Sequence, residues 1–426
     1  MATPNVSKPL SKDDRPISEV QRIGNTRLAL VLAIAVLLIG VISQHFIIIW
    51  AGFFILVLMI LAEQMAGLTF RHLSLKHQFA SSTAEIDEPL DAELIVENPL
   101  PWPVGEISWE LDVPESLRFH SQVESSSDTS SGYLRIVRGA LTVTRQERLR
   151  VPYQLVGMRR GRFQVGPNVL IFQDPLNWSQ WVRRTHMNDR LTIWPRRYTL
   201  PQGFWQAHPE LGERRGRPWD PPDPVLVAGI RPYRIGDPIR RIHAHASAQA
   251  GQLMVKEDEH LTARTVEVLL HPQTGLHPWS GVDRGLMEES VSLAATVVET
   301  SLAQGLDVGL TTSGILAGHP HGLSLPPKHG SDIRSQMLTA LAWVEPSGNM
   351  TDNLLRHLLG LKRRVVRGGI IVVVAPIWPE EVQQDWAALR ARGVEIIWIT
   401  VGNEHTIPVP GASIIWRWQE GSWSRE

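Results

Sequence analysis

The chain of 426 residues contains no cysteine, which excludes disulfides, thiolate zinc sites and cysteine nucleophiles and leaves the redox compartment undecided. It has little net charge. Lys and Arg number 42 against 43 Asp and Glu, a total of −1, so the chain as a whole has no electrostatic attraction to nucleic acid. Tyrosine is scarce, at 4 against 16 tryptophans; a Trp excess suits sheet faces and interfaces and names no chemistry. Nucleophile elbow, P-loop and dinucleotide fingerprint are all missing. The nearest thing to a phosphate-cradling loop, Thr311-Thr312-Ser313-Gly314, has a single glycine and reads as a turn. No catalytic residue, cofactor or metal site is therefore predicted, and there are no tandem repeats.

What is present begins with a long apolar run. Leu28 to Ala62 pass without a charge for 35 residues, interrupted in a polar way only by Ser43, Gln44 and His45. One straight helix of that length would measure about 52 Å, well beyond a hydrocarbon core of about 30 Å. Two transmembrane helices, Leu28–Ser43 and Phe46–Ala62, with a tight turn between them fit better. A signal peptide fits poorly, because the run starts late and no small-residue cleavage site follows a short apolar core. Lys8, Lys12, Arg15, Arg22 and Arg27 precede the hairpin, Arg71 and Lys76 follow it, and the turn carries no Lys or Arg. The positive-inside rule then predicts both ends on the cytoplasmic side of a bacterial inner membrane, with the soluble bulk facing the cytoplasm.

From about Leu73 to Leu200 the hydrophobic period is two. In Glu106–Val113, Ile107, Trp109, Leu111 and Val113 face one way and Glu106, Ser108, Glu110 and Asp112 the other. Ala92–Glu97, Gly139–Thr144, Leu149–Leu155, Arg162–Val165, Val169–Phe172 and Arg190–Trp194 read as further strands between Pro- and Gly-rich turns, which predicts an antiparallel, Ig-like β-sandwich. Pro201–Pro224 reads as an irregular linker. From Thr265 apolar runs of strand length (Thr265–Leu270, Leu306–Thr311, Gly369–Ala375, Val394–Val401) alternate with helices. One helix spans about Arg284–Gln304, with Asp283 as N-cap, a stripe of Met287, Val291, Ala294, Val298 and Leu302, and Gly305 as stop; another spans Pro379–Arg392. This pattern predicts a doubly wound α/β domain. The expected organisation is a tail (1–27), a transmembrane helical hairpin (28–62), a β-sandwich (73–200), a linker with a signature block (201–262) and an α/β domain (263–426).

Three stretches resemble one family. They are Arg159–Pro167 with Phe172-Gln-Asp-Pro175, then Thr192-Ile-Trp-Pro195, then Arg231-Pro-Tyr-Arg-Ile-Gly-Asp-Pro-Ile-Arg-Arg-Ile242 running on to Ser247-Ala248. The combination resembles the domain of unknown function 58 family. The resemblance implies an N-terminal membrane hairpin, a β-sandwich, a von Willebrand factor A-like α/β domain and association with MoxR-type AAA+ ATPases. It does not fix a mechanism. Two positions of the block depart from the pattern, with Ala244 for a Trp and Gln249 for an Arg. Metal-binding A-like domains carry Asp-x-Ser-x-Ser after the first strand, a Thr in a second loop and an Asp after a later strand, a set suited to a hard divalent cation. Here those loops read His271-Pro-Gln273-Thr-Gly275 and Val374-Ala-Pro376, and only Thr351 matches, so the metal-ion site is predicted to be degenerate.

The expected function is a membrane-anchored scaffold that binds a MoxR-type ATPase; the rival is a metal-dependent binding module or enzyme working in the strand-end cleft. Candidate partner-binding residues fall in two groups. Arg231, Tyr233, Asp237 and Arg240, with Arg241, form either a docking surface for an acidic partner or an architectural clamp around a Gly236-Asp237-Pro238 turn. His271, Gln273 and Trp378 lie at the strand-carboxyl end of the α/β domain, where Trp378 either anchors a partner or packs at the start of its helix. His243/His245 and His319/His321 have a spacing zinc could use, without a third ligand in sight. Between Arg135 and Arg241, 20 Arg face 8 acidic residues, which suits contact with anionic lipid or solvated strand faces equally.

Overall fold

The computed structural model describes residues 18–24, 26–121, 126–129, 134–166, 168–173, 179–185, 190–205, 222–234, 237, 239, 242–260, 265–275, 281–316, 319–348, 350–365, 369–378, 383–391, 393–402, 414–419 and 421–425. The chain divides into two compact units, Met1–Trp194 and Pro195–Glu426.

The first unit opens with β1 (Ser18–Gly24), then α1 (Thr26–Ser43) and α2 (Phe46–His72). The two helices are joined through Gln44, whose φ of 54° gives the tight reversal, and they pack on each other. Among the described residues α2 is the one helix long and apolar enough to cross a membrane, judged by length and composition. It runs ten residues past the predicted stop at Ala62. The extension is amphipathic rather than apolar all round, and Ala66 and Phe70 lie in the core of the β-sheets. Full burial of a Phe is worth about 1.5–3 kcal/mol, enough to keep this helix wound beyond its apolar run.

The strands follow as β2 (Ser74–Phe79), β3 (Thr83–Glu85), β4 (Pro89–Glu97), β5 (Val104–Pro114), β6 (Leu117–Ser121), β7 (Ser126–Thr129), β8 (Leu134–Val143), β9 (Arg148–Gly157), β10 (Gly161–Gln164), β11 (Asn168–Gln173), β12 (Ser179–Thr185) and β13 (Arg190–Trp194). They form sheets ordered β1-β12-β11-β5-β8-β7, β2-β4-β9-β6 and β10-β13-β3. Alternation is kept on β5, where Ile107, Trp109, Leu111 and Val113 are buried and meet Leu94, Val96 and Leu155 of the four-stranded sheet in one core. Trp109 stands opposite Gly139 of β8, and a Cβ on Gly139 would strike the indole ring. Six strands carry no assignment from the sequence pattern: β2, β3, β6, β7, β12, and β1, which completes an edge against β12.

The second unit begins with β14 (Pro222–Pro232), α3 (Ala244–Ala250) and β15 (Met254–His260); β14 and β15 pair antiparallel. Most of the predicted linker lies outside the described residues; its end lies on β14, and the signature block starts at the end of β14 and finishes in α3. Then come β16 (Thr265–Leu270), α4 (Arg284–Ala303), β17 (Asp307–Thr312), β18 (Leu323–Lys328), α5 (Ser331–Ala342), α6 (Met350–Arg364), β19 (Ile370–Ala375), α7 (Gln383–Ala391), β20 (Glu395–Val401), β21 (Ile414–Gln419) and β22 (Ser422–Arg425). The sheet is mixed, ordered β18-β17-β16-β19-β20-β21-β22. Its five central strands are parallel, with antiparallel β18 and β22 at the edges. Asp283 caps α4 as the sequence predicts, its Oδ1 accepting from the Gly285 and Leu286 amides. The other predicted helix is described only as Gln383–Ala391; Pro379 to Val382 and Arg392 lie outside the described residues. α6 and α7 bury Leu354, Leu358, Leu361, Trp386 and Leu389 against Leu269, Ile371, Val373 and Ile396 of the sheet.

Candidate functional site

The strand order reverses between β16 and β19, and the crevice outside the carboxyl ends at such a point is where open α/β sheets bind ligands. His271 follows β16 and donates its amide to Val374 O on β19. Its side chain is fully buried, with Nδ1 2.7 Å from Ser313 Oγ just beyond β17. Ser313 O accepts from Asn353 Nδ2 of α6 at 3.2 Å. Gln273 bridges from Gly275 O, to which its amide donates at 2.8 Å, to Thr351, whose hydroxyl donates to Gln273 Oε1 at 3.2 Å. The loop after β16 and the start of α6 are thus joined by a neutral hydrogen bond. Beside them a cavity of about 140 Å³ is lined by Gln273, Thr274, Gly281, Pro346, Ser347 and Met350 among others. Among the described residues its walls supply amide and hydroxyl groups but no carboxylate. Among the described residues no three His, Asp or Glu side chains converge.

His271 and Ser313 are at the separation of a base and its nucleophile, yet both are completely inaccessible to solvent. Burial pushes the His271 pKa down to about 3, so the ring is neutral and acts as a structural hydrogen-bonding group.

The proposed aromatic anchor is corrected by the packing. Trp378 is 8% exposed and its ring lies 4.6 Å from Trp398 and 5.4 Å from Trp386, with His271 on another side at 5.7 Å. Trp386 and Trp398 belong to α7 and β20. They pack against Trp378, which is buried among them as the second of the two readings expects. His271, Gln273 and Trp378 therefore come together in space as core of the strand-end loops.

The signature block is built differently. Arg231, at the end of β14, forms a two-pronged ion pair with Asp237 (Nη1–Oδ2 2.7 Å, Nη2–Oδ1 2.8 Å). Asp237 also accepts from the Arg234 amide at 2.8 Å. The bond from Arg231 holds the Asp237 carboxyl at about 2, well below the usual range. Tyr233 is half-buried and its amide bonds Leu253 O. Arg240, Arg241, Gly236 and Pro238 lie outside the described residues. Around this clamp Ile230, Ile239 and Leu253 are exposed, Ile239 by 78%. His243 and His245 do not share a strand face; His243 Nδ1 caps α3 by accepting from the Ala246 amide, and His245 sits within that helix. His321 serves through its carbonyl, which His357 Nε2 meets at 2.7 Å.

One polar group escaped the sequence reading. Glu267 is buried in the middle of β16, 2% exposed. Arg364 at the end of α6 grips it with Nε–Oε1 at 2.6 Å and Nη2–Oε2 at 3.0 Å, and also reaches Thr311 and Ser324. Gly309 stands directly opposite Glu267 on β17, and a Cβ there would collide with the carboxylate. The signal that could have found it is a lone acid within an apolar strand-length run.

No curated protein matches the chain. Among solved structures, it is similar to the CARDB domain of a Pyrococcus furiosus protein (8% identity, 28% of this chain and 86% of that one, TM-score 0.18). It is also similar to a cohesin module of a Clostridium perfringens family 33 glycoside hydrolase (10%, 28% and 96%, 0.20). A putative membrane anchored protein of Corynebacterium diphtheriae is similar at 12% identity over 30% of this chain and 34% of that one, with a TM-score of 0.20. Residues 229–415, which hold the Arg231–Asp237 clamp and the sheet through β20, match the family model described as Protein of unknown function DUF58, the family that the motifs resemble.

Proposed function

We propose that the protein is a membrane-anchored interaction protein whose helices α1 and α2 form a two-span hairpin with both chain ends in the cytoplasm. One observation carries this reading. Eighteen of the twenty-four exposed large hydrophobic side chains among the described residues sit on α1 and α2. Ile47, Phe54 and Ile42 expose 84%, 66% and 81% of their surface. An exposed apolar belt of that extent marks a membrane or protein interface, and its length on α2 suits a bilayer. The basic residues at both ends and their absence from the turn support the cytoplasmic orientation.

The second unit acts as a von Willebrand factor A-like domain that works without a metal ion, in keeping with its strand order and with the neutral Gln273–Thr351 bond at the cation position. Its partner is a MoxR-type AAA+ ATPase, an expectation that rests on the family resemblance. With Trp378 packed away, the surface for that partner is the signature block, where a rigid Arg231–Asp237 clamp presents Ile239 and Leu253. The test is co-purification of the cognate ATPase from solubilised membranes by wild type and by Ile239→Asp. Wild type is expected to retain the ATPase and the variant to lose it. Equal recovery by a folded variant would reject this surface, and no recovery by either would reject the partnership.

A further inference from the structure

The loop between β4 and β5 reads Pro99-Leu100-Pro101-Trp102-Pro103, five residues without charge, three of them prolines. Pro99, Pro101 and Pro103 are exposed, while Leu100 and Trp102 are half-buried. An apolar loop on a water-facing surface needs a reason. Its position supplies one, because Trp102 Nε1 donates to Thr69 Oγ1 of α2 at 2.9 Å.

Resting on the proposed membrane reading, the depth of Thr69 can be placed. The apolar run of α2 ends at Ala62, before Glu63 and Gln64, so the hydrocarbon core ends there. Thr69 lies seven residues further, about 10 Å along the axis, at the outer side of a headgroup layer about 5–8 Å thick. The loop held beside Thr69 therefore borders the headgroup layer, as does Leu68, which is 40% exposed.

The loop is also built for a drier environment. Prolines have no N–H to strip of water. The Leu100 amide bonds Asn98 Oδ1, Leu100 O accepts from the Gln146 amide, and Trp102 O accepts from Asn98 Nδ2. Asn98 itself is 1% exposed and ties the loop to Thr144 O as well. A Trp whose indole body is apolar and whose N–H is wet or bonded is the residue favoured at membrane interfaces.

We infer that the Pro99–Pro103 loop is a second membrane contact, bordering the headgroup layer of the bilayer beside α2. Together with Phe70 and Ala66 in the core, it fixes the β-sheet unit against the membrane surface instead of leaving it on a swivel. Arg183 adds to the grip, donating to Leu73 O at 2.8 Å and lying over the Phe70 ring at 4.4 Å.

Because the chain lacks cysteine, single-cysteine variants of the full protein can carry an environment-sensitive fluorophore. Pro101→Cys reports on the loop, with Pro99→Cys as a second probe of the same loop. Leu58→Cys reports on the exposed face of α2, and Glu115→Cys lies beyond the far end of β5, which at about 3.3 Å per residue is more than 30 Å away. In phosphatidylcholine vesicles with nitroxides at the headgroup or deep in the acyl chain, the loop probes should lose most of their emission to the shallow quencher. Leu58 should lose it to the deep one, and Glu115 to neither. Quenching at Leu58 with loop probes that behave like Glu115 overturns the loop contact alone. No quenching at Leu58 overturns the membrane reading and the loop contact with it.

Discussion

On β5 of the first unit, Glu110 points away from the core and pairs with Arg138 across the sheet at 2.7 Å, both side chains partly in water. On β16 of the second unit, Glu267 pairs with Arg364 at 2.6 Å, and its side chain is 3% exposed. The same ion pair therefore has two physical meanings. A strand with one wet face can carry charge on every second residue at little cost. A strand covered by helices on the sheet must bury any charge it carries, with a partner, hydrogen bonds and space cut for it. Both units cut that space with a glycine directly across the ladder, Gly139 for the Trp109 indole and Gly309 for the Glu267 carboxylate.

The largest expected effect breaks the buried pair. Arg364→Ala leaves Glu267 buried without its cation and should cost about 3–5 kcal/mol in urea unfolding of the second unit. Arg364→Lys should recover part of this, since it keeps the charge and loses the fork. A loss below about 1 kcal/mol, the scale of an exposed pair, would mean that Glu267 is not confined as described. Next, Gly309→Ala and Gly139→Ala should each cost about 1–3 kcal/mol by overpacking. Combining Gly309→Ala with Glu267→Ala should relieve the clash, whereas pairing Gly139→Ala with Glu267→Ala should not, and equal coupling in both pairs would contradict the register.

Among the described residues, burial holds a histidine neutral in each unit: half-buried His77 in the first and fully buried His271 in the second. His77 Nδ1 meets Tyr153 Oη at 2.7 Å, and burial lowers its pKa to about 4, as it lowers that of His271 to about 3. The unfolded chain protonates first, near 6.5, so unfolding takes up protons. The stability that each neutral ring contributes is complete above pH 6.5 and is lost as pH falls toward 4 for His77 and 3 for His271. The limiting slope is about 1.4 kcal/mol per pH unit for each ring. His77→Asn should flatten the acid limb of the first unit and His271→Asn that of the second, followed by melting temperature from about pH 7 to about pH 4. The smallest effect belongs to the surface pair: Glu110→Ala should cost less than about 1 kcal/mol, and a larger loss would erase the contrast with Glu267.

The same contrast decides what could be read in advance. Alternation on β5 was legible because one face is wet, so Ile107, Trp109, Leu111 and Val113 could be assigned to the core from spacing alone. On β16 and β19 the run is apolar on both faces, which reveals the strand and hides its contents; neither Glu267 nor its Arg364 partner, 97 positions away, leaves a periodic trace. Trp378 follows the same rule. Its neighbours Trp386 and Trp398 close over it only through the packing of α7 on β20, a long-range fact that spacing does not carry. The break between α1 and α2 at Gln44 was legible because three polar residues interrupt an apolar run. The end of α2 was not, because the last turns are held by Phe70 and Ala66 in the sheet core rather than by an apolar composition.

The most direct test of the membrane reading asks where the helical turn and the second unit lie. Ser43→Cys sits at the turn and Ser422→Cys on β22, both exposed. Treated with a membrane-impermeant maleimide in intact cells, Ser43→Cys should label at once, and Ser422→Cys only after the membrane is opened. Labelling of both in intact cells, or of neither until the cells are opened, would contradict a two-span hairpin with a cytoplasmic body.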